Sequence, residues 1–407
     1  MTGMKTNDCE APMNTASTSN EAPACWSGVF AMTLCVFALI ASEFMPVSLL
    51  TPLAVDLHVT EGMAGQGIAI SGAFAVLTSL CISWVARTLD RKMLLLALAG
   101  LMAVSGLIVG LAPDYQTYMV GRALIGVVIG GFWSMSAATA MRLVPAPQVP
   151  KALAIFNGGN ALATVIAAPL GSYLGSIIGW RGAFLCVVPV AAIALVWMYI
   201  CLPPMKVASR VSGSASVFKL FRNRSVALGM VGCGAFFMGQ FALFTYLRPF
   251  LETVTRVDVS TLSLILLVIG ASGFVGTLII SRFLRRGLFR TLITIPVLMA
   301  LIALALIPFG SSTLVVAVLL GLWGLLATAA PVGWWSWIAQ ALPNNAEAGG
   351  GLMVAVIQLA IALGSTVGGL LFDSRGYQST FVAGAVVLLL GAAVTLLTSR
   401  STPSRIC

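Results

Sequence analysis

Ala41-Ser-Glu-Phe-Met-Pro-Val-Ser-Leu-Leu-Thr-Pro52 closes an apolar run that begins at Trp26. It holds one acid, Glu43, in a setting where a bilayer would offer a carboxylate no water. The pattern returns 197 residues later, where Gly239-Gln-Phe-Ala-Leu-Phe-Thr-Tyr-Leu-Arg-Pro249 aligns with Ser42 to Pro52. Phe44 falls on Phe241 and Pro52 on Pro249, but Glu43 falls on neutral Gln240. At the same offset, Gly179-Trp-Arg-Gly-Ala-Phe184 meets Gly376-Tyr-Gln-Ser-Thr-Phe381, and Gly171 meets Gly368. Gly131-Phe-Trp-Ser134 resembles Gly333-Trp-Trp-Ser336 at a slightly different offset. The chain therefore reads as two related halves, one of which carries a buried acid that the other lacks. Parallel repeats around a central cavity are a recurrent transporter plan.

Composition supports a membrane protein. Of 407 residues, 59% are hydrophobic and only 8% charged, against about 25% charged in soluble domains. A spanning helix needs about 20 apolar residues. By that rule the spans are 26–47, 63–85, 93–111, 116–141, 151–177, 182–202, 226–250, 260–282, 289–309, 313–339, 348–371 and 377–398. The fold class expected is an all-α integral membrane protein, with 12 transmembrane helices in two pseudo-symmetric six-helix halves. The halves are 26–202 and 225–399, with tails at 1–25 and 400–407 and a basic linker at 203–224. The first residues are polar and carry no basic segment before a short apolar core, so they read as a tail and not a signal peptide.

The net charge of +10 sorts by side. Seventeen of the 22 Lys and Arg fall on the side of the two termini, including Lys206, Arg210, Lys219 and Arg222 of the linker. Arg181, Arg248, Arg256 and Arg375 fall on the other side, and Arg122 lies within a span. Basic residues gather on the cytoplasmic side of membrane proteins. Both termini are therefore expected in the cytoplasm, and the basic balance needs no nucleic acid.

Glu43 and Arg122 are the candidates for coupling. At 1.5 Å per residue, Glu43 lies roughly 25 Å along its span and Arg122 roughly 10 Å below the opposite surface, at similar depth. They form a pair or exchange partners as a proton comes and goes; alternatively, Glu43 is a fixed structural partner of Arg122. Gly126, Gly130 and Trp133 follow Arg122 along one helix face, and the small residues admit a close neighbour. Asn157, Asn160 and Thr164 share a face, and Gln358 lies near the repeat position of Asn160. These amides, with Gln240, Tyr246, Trp133 and Trp335, are the candidate substrate contacts. Helix-to-helix hydrogen bonding and an interfacial aromatic belt around Trp334, Trp335 and Trp337 are the alternatives. His58 reads as a solvated loop residue. The cysteines have no metal spacing, and no phosphate-binding Gly-x-x-x-x-Gly-Lys-[Ser/Thr] run is present. No metal, no cofactor and no enzyme activity are expected. Transport driven by an ion gradient remains; a non-transporting membrane sensor would leave the repeat and Glu43 without a purpose.

Gly121-Arg-Ala-Leu-Ile-Gly126 resembles the fourth-span motif of the major facilitator superfamily, within it the twelve-span drug:proton antiporters. Ala167-Ala-Pro-Leu-Gly171 with Gly179-Trp-Arg181 is similar to their fifth-span antiporter motif, which implies a role for Pro169 and Gly171 in favouring antiport over leak. Ser83-Trp-Val-Ala-Arg-Thr-Leu-Asp-Arg-Lys92 stands where the family has Gly-x-x-x-Asp-Arg-x-Gly-Arg-Arg. The gating loop that this implies holds Arg87 at the acid position, with Asp90 and Arg91 following. Glu43-Phe-Met-Pro-Val-Ser-Leu-Leu-Thr-Pro52, Gly130-Gly-Phe-Trp-Ser-Met-Ser-Ala137 and Pro331-Val-Gly-Trp-Trp-Ser-Trp337 are similar to runs of the bacterial purine ribonucleoside efflux pumps in this group. That resemblance implies export of inosine and guanosine across the cell inner membrane in exchange for protons, by a monomer. Efflux of sugars or amphiphilic drugs by the same fold is the alternative.

Overall fold

The structure, a computed structural model, describes residues 24–85, 89–205, 223–342 and 346–401. Arg87, most of the expected linker and most of both expected tails lie outside the described residues. Fourteen α-helices follow in order: α1 Trp26–Ser48, α2 Leu50–Asp56, α3 Glu61–Val85, α4 Arg91–Gly110, α5 Tyr115–Arg142, α6 Val149–Leu185 and α7 Val187–Cys201. After the linker come α8 Arg224–Phe244, α9 Leu247–Phe250, α10 Val259–Arg286, α11 Leu288–Phe309, α12 Thr313–Ala341, α13 Ala346–Arg375 and α14 Tyr377–Ser401.

Several charged and amide residues sit where helices begin. Asp90, Asp114, Asn223 and Asp258 each accept backbone N–H bonds at the starts of α4, α5, α8 and α10. Such caps satisfy donors that the helix itself cannot. Between the caps the chain is apolar enough that, among the described residues, 11 helical stretches qualify as membrane spans. One of them, Lys151–Cys201, has 51 residues, or about 77 Å of helix against a hydrocarbon core of roughly 30 Å. It is broken at Gly179, whose φ is +74°. That break supplies the twelfth crossing. Side chains such as Leu77, Leu278 and Leu370 stand outward, as a lipid-facing surface requires.

Among the described residues, Gly179 and its repeat mate Gly376 both take a φ in the range that favours glycine, +74° and +79°. Each turns the chain between consecutive spans, so the repeat extends to backbone conformation. A Cβ there costs roughly 1–2 kcal/mol. Gly179→Ala and Gly376→Ala are each expected to lower the thermal unfolding midpoint in detergent. Gly158→Ala, in a helical position with open space around it, is expected to leave it unchanged or raise it.

Each half has its own apolar core. One gathers α1, α4 and α5 around Leu39, Leu98 and Phe132; the other gathers α8, α11, α12 and α14 around Phe236, Met299 and Trp323. Cys35 and Cys233 are packed inside as small apolar residues, whereas Cys81 and Cys186 are exposed. Close helix approach follows the small residues. A Cβ at Gly126 or Gly130 of α5 would lie 2.2 Å from the Ser71 or Ala75 carbonyl of α3. Gly324 of α12 meets Ile269 of α10 in the same way in the second half.

Candidate functional site at the meeting of the two halves

Glu43 lies on α1 where the halves touch and is buried. Its partner comes from the other half: the Gln358 side-chain amide on α13 donates to the Glu43 carboxylate at 3.2 Å. One residue on, Phe44 stacks against its own repeat mate, Phe241 of α8, with ring centroids 6.0 Å apart. The two copies of the repeated motif thus face each other, acid and aromatic on one side, amide and aromatic on the other. Gln240, the mate of Glu43, is half-buried, and its Oε1 accepts no hydrogen bond.

Arg122 arrives at the same depth, as its place in the sequence predicts, but binds backbone and not the Glu43 carboxylate. Its guanidinium donates to the Ser42 carbonyl at 2.8 Å, the Glu43 carbonyl at 3.3 Å, the Gly67 carbonyl at 3.0 Å and the Ser71 hydroxyl at 3.2 Å. The reason lies in α1. Pro46 has no N–H, so the Ser42 carbonyl four residues earlier loses its helical donor. Arg122 supplies that donor and ties α1 to α3. Depth alone cannot distinguish a carboxylate from a proline-freed carbonyl, which is why the expected side-chain pair is replaced by a clamp.

Pro169 of α6 acts in a related way. It leaves the Val165 carbonyl without its helical donor, and Gly270 of α10 packs against that stretch, a Cβ there lying 2.7 Å from Val165 Cα. Gly171, two residues on, packs against Met45 and Ser48 of α1. The expected antiporter motif therefore lies where α6 meets both α1 and the other half.

From this depth outward, away from the termini, the halves are bonded together. Thr366 donates to Gln66, Thr60 and the Gly62 backbone N–H donate to Asp373, and Arg248 donates to the Ser48 carbonyl. Arg248 is buried and also pairs with Glu252 at 2.8 Å. Tyr246 belongs to this seal. It is fully buried, donates to the Ser365 carbonyl at 2.7 Å, and stacks on Phe372 at 5.3 Å. Nearby in the first half, Arg181 pairs with Asp56 and lies over the Trp180 ring at 4.4 Å. Burial opposes ionisation of Asp56, but together the donors from Arg181 and Trp180 and the Arg181 charge hold its carboxyl below the usual range. Sequence reasoning missed the role of Arg248, Glu252 and Asp373. The available signal was Arg248 and Glu252 at helical i,i+4 spacing beside an apolar run.

Asn157 shares the α6 face of Val165, two turns nearer the termini, or about 12 Å. Val165 packs on the other half, whereas Asn157 is exposed and its amide donates to the Leu153 carbonyl of its own helix. Asn160 lies between them, half-buried, its carbonyl accepting from Thr164. Trp133 is half-buried edge-on against Phe156, centroids 6.2 Å apart. Of the α12 tryptophans, Trp334 and Trp337 are buried against each other, while Trp335 is 43% exposed. Asp90 caps α4 and accepts from Met205 N–H, with Arg91 N–H donating to the Met205 carbonyl.

Twelve crossings, a two-fold repeat whose copies meet between the halves and a buried acid at that contact describe a transporter architecture. A family model described as Major Facilitator Superfamily matches residues 32–353. The chain belongs to the Major Facilitator Superfamily. It is a multi-pass membrane transporter by family, and solved members share its fold. The nucleoside transporter NupG superposes with a TM-score of 0.73 at 14% identity, covering 91% of this chain and 99% of that one. A bacterial homologue of the lysosomal transporter Spinster, titled as inward-facing and occupied, also gives 0.73 at 16% identity, covering 93% and 98%. Among curated relatives, the purine ribonucleoside efflux pump NepI of Salmonella enteritidis is 42% identical over 378 residues, 93% of this chain and 95% of that protein. A Pseudomonas aeruginosa protein named transcription regulatory protein OpdE is 64% identical over 392 residues, 96% of this chain and 98% of its own.

Proposed function

We propose that this protein exports purine ribonucleosides such as inosine and guanosine from the cytoplasm in exchange for protons, by alternating access across a bacterial inner membrane. The observation that carries the mechanism is Glu43 bonded to Gln358 across the halves. An ionised carboxylate accepts a charge-assisted bond, worth about 1.5–3 kcal/mol, whereas a neutral acid makes one worth roughly 0.5–1.5 kcal/mol. Proton loading therefore weakens a link between α1 and α13, and release restores it. The bonds that join the halves at the far end support reading this arrangement as the cytoplasm-facing side of the cycle, in which a nucleoside enters and the proton leaves. The substrate is neutral, so the proton carries the only charge moved, and both parts of a proton gradient favour export.

The substrate class rests on the relatives named NepI and on the chemistry of the site. A buried acceptor left unpaired costs about 1–3 kcal/mol. Gln240 Oε1 is such an acceptor, and a purine N–H or ribose hydroxyl would satisfy it. Phe44 and Phe241 beside it offer rings to a purine. Gln240→Leu is expected to keep or raise the thermal midpoint, because the orphan acceptor is gone, while weakening inosine uptake into inverted vesicles about tenfold. A lowered midpoint with transport unchanged would make Gln240 a structural amide.

The name of the Pseudomonas aeruginosa relative raises a second reading, a membrane sensor acting on transcription. Reconstituted protein separates the two: counterflow of labelled inosine in vesicles free of other proteins supports transport, and inosine binding without exchange supports the sensor. Exchange of a sugar or drug in place of inosine would keep the transporter and change the substrate.

A further inference from the structure

A crevice of about 390 Å³ opens on the outer, lipid-facing surface of the second half, away from the halves' interface. It lies between α10 and α11, which diverge from the single residue Gly287, and α12 forms its floor. Gly276, Ile279, Phe283, Leu298 and Leu325 give it an apolar lining. The hydroxyls of Thr291 and Thr294 in its wall are engaged by the Gly287 and Arg290 carbonyls of their own helix. Arg286 and Arg290 close its terminal end. Both are exposed, and neither has an ion-pair partner among the described residues. A second apolar hollow shares Leu298, Leu325 and Leu326 with the first and carries the groove on to Ala305. Arg290 to Ala305 is 15 residues, about 22 Å of helix, which exceeds the roughly 15 Å hydrocarbon depth of one leaflet.

We propose that this groove is a binding site for one anionic glycerophospholipid, with its phosphate held by Arg286 and Arg290 and an acyl chain lying along α11. The charge complementarity selects the occupant. Two unpaired guanidinium groups at the headgroup level match a phosphodiester, and the apolar groove below them accepts only hydrocarbon. Arg282 and Arg285 belong to the same basic run but do not line the crevice, so the site separates from the general attraction of a basic surface for anionic lipid.

Native mass spectrometry of the full chain, titrated with phosphatidylglycerol or phosphatidylcholine, tests the assignment. The expected result is a single saturable phosphatidylglycerol adduct that phosphatidylcholine does not match. R286Q/R290Q weakens it roughly thirtyfold, taking about fivefold for each basic residue near a membrane surface. R282Q/R285Q, whose side chains do not line the crevice, weakens it clearly less than the first pair does. Ile279→Trp, which fills the crevice and leaves the charges in place, also weakens it. Equal losses from the two arginine pairs, or no preference over phosphatidylcholine, would overturn the site. Full displacement by inorganic phosphate would do so too, because the groove would then add nothing to an anion contact.

Discussion

Glu43→Gln in proteoliposomes is expected to drive no inosine accumulation from an imposed pH gradient, yet still to exchange internal for external inosine. The substitution turns Glu43 into a copy of its repeat mate Gln240, keeping size and the ability to bond Gln358. It removes only the titrating group. The second half already tolerates an amide at this position, so the fold accepts one, and the thermal midpoint is expected to hold. Coupled transport is expected to fall at least about a hundredfold, because no other acid lies at this depth among the described residues that face both halves. Accumulation at the wild-type rate would remove Glu43 from the coupling mechanism. Loss of both accumulation and exchange, with the fold intact, would make it a substrate contact.

Arg122→Leu is expected to cause the largest loss of stability of any substitution near the site. Its guanidinium makes four hydrogen bonds in the buried space between α1, α3 and α5. Without it, the Ser42 carbonyl has neither a helical donor nor water. Each buried unpaired carbonyl costs about 1–3 kcal/mol, and the loss of the side chain leaves a cavity as well. A destabilisation of about 2–5 kcal/mol follows, seen as a lowered unfolding midpoint. Arg122→Lys restores only part of it, because a single ammonium cannot reach carbonyls on two helices as a planar fork does. An unchanged midpoint with transport lost would instead assign Arg122 to the electrostatics of the cavity. The two variants are expected to separate: Glu43→Gln loses coupling with little effect on stability, and Arg122→Leu does the reverse.

The sequence placed the crossings well because the bilayer imposes a simple rule of length and apolarity, and because few residues interrupt it. The break at Gly179 was legible for a further reason: its repeat mate Gly376 marks the same turn in the other half. Membership of the superfamily was legible in Gly121 to Gly126 and in Pro169 with Gly171. Side-chain partners were not. The depth of Glu43 and Arg122 followed from counting residues, but their partners depended on Pro46 freeing a carbonyl and on Gln358 arriving from a helix 315 residues away in sequence. Tyr246 shows the same limit. Its motif neighbour Phe241 stacks on Phe44 across the halves, yet Tyr246 itself lies in the far-end seal against Phe372. A repeat fixes which positions correspond, and it leaves open which of them each half uses for closing and which for binding.

The most direct test of proton-coupled nucleoside export is the wild-type protein alone in vesicles, with labelled inosine and a pH-sensitive dye, under an imposed pH gradient. The account predicts inosine movement opposite to the proton gradient, matched by proton flow that starts only when inosine is added. Inosine movement indifferent to the gradient, with no inosine-dependent proton flow, would contradict it.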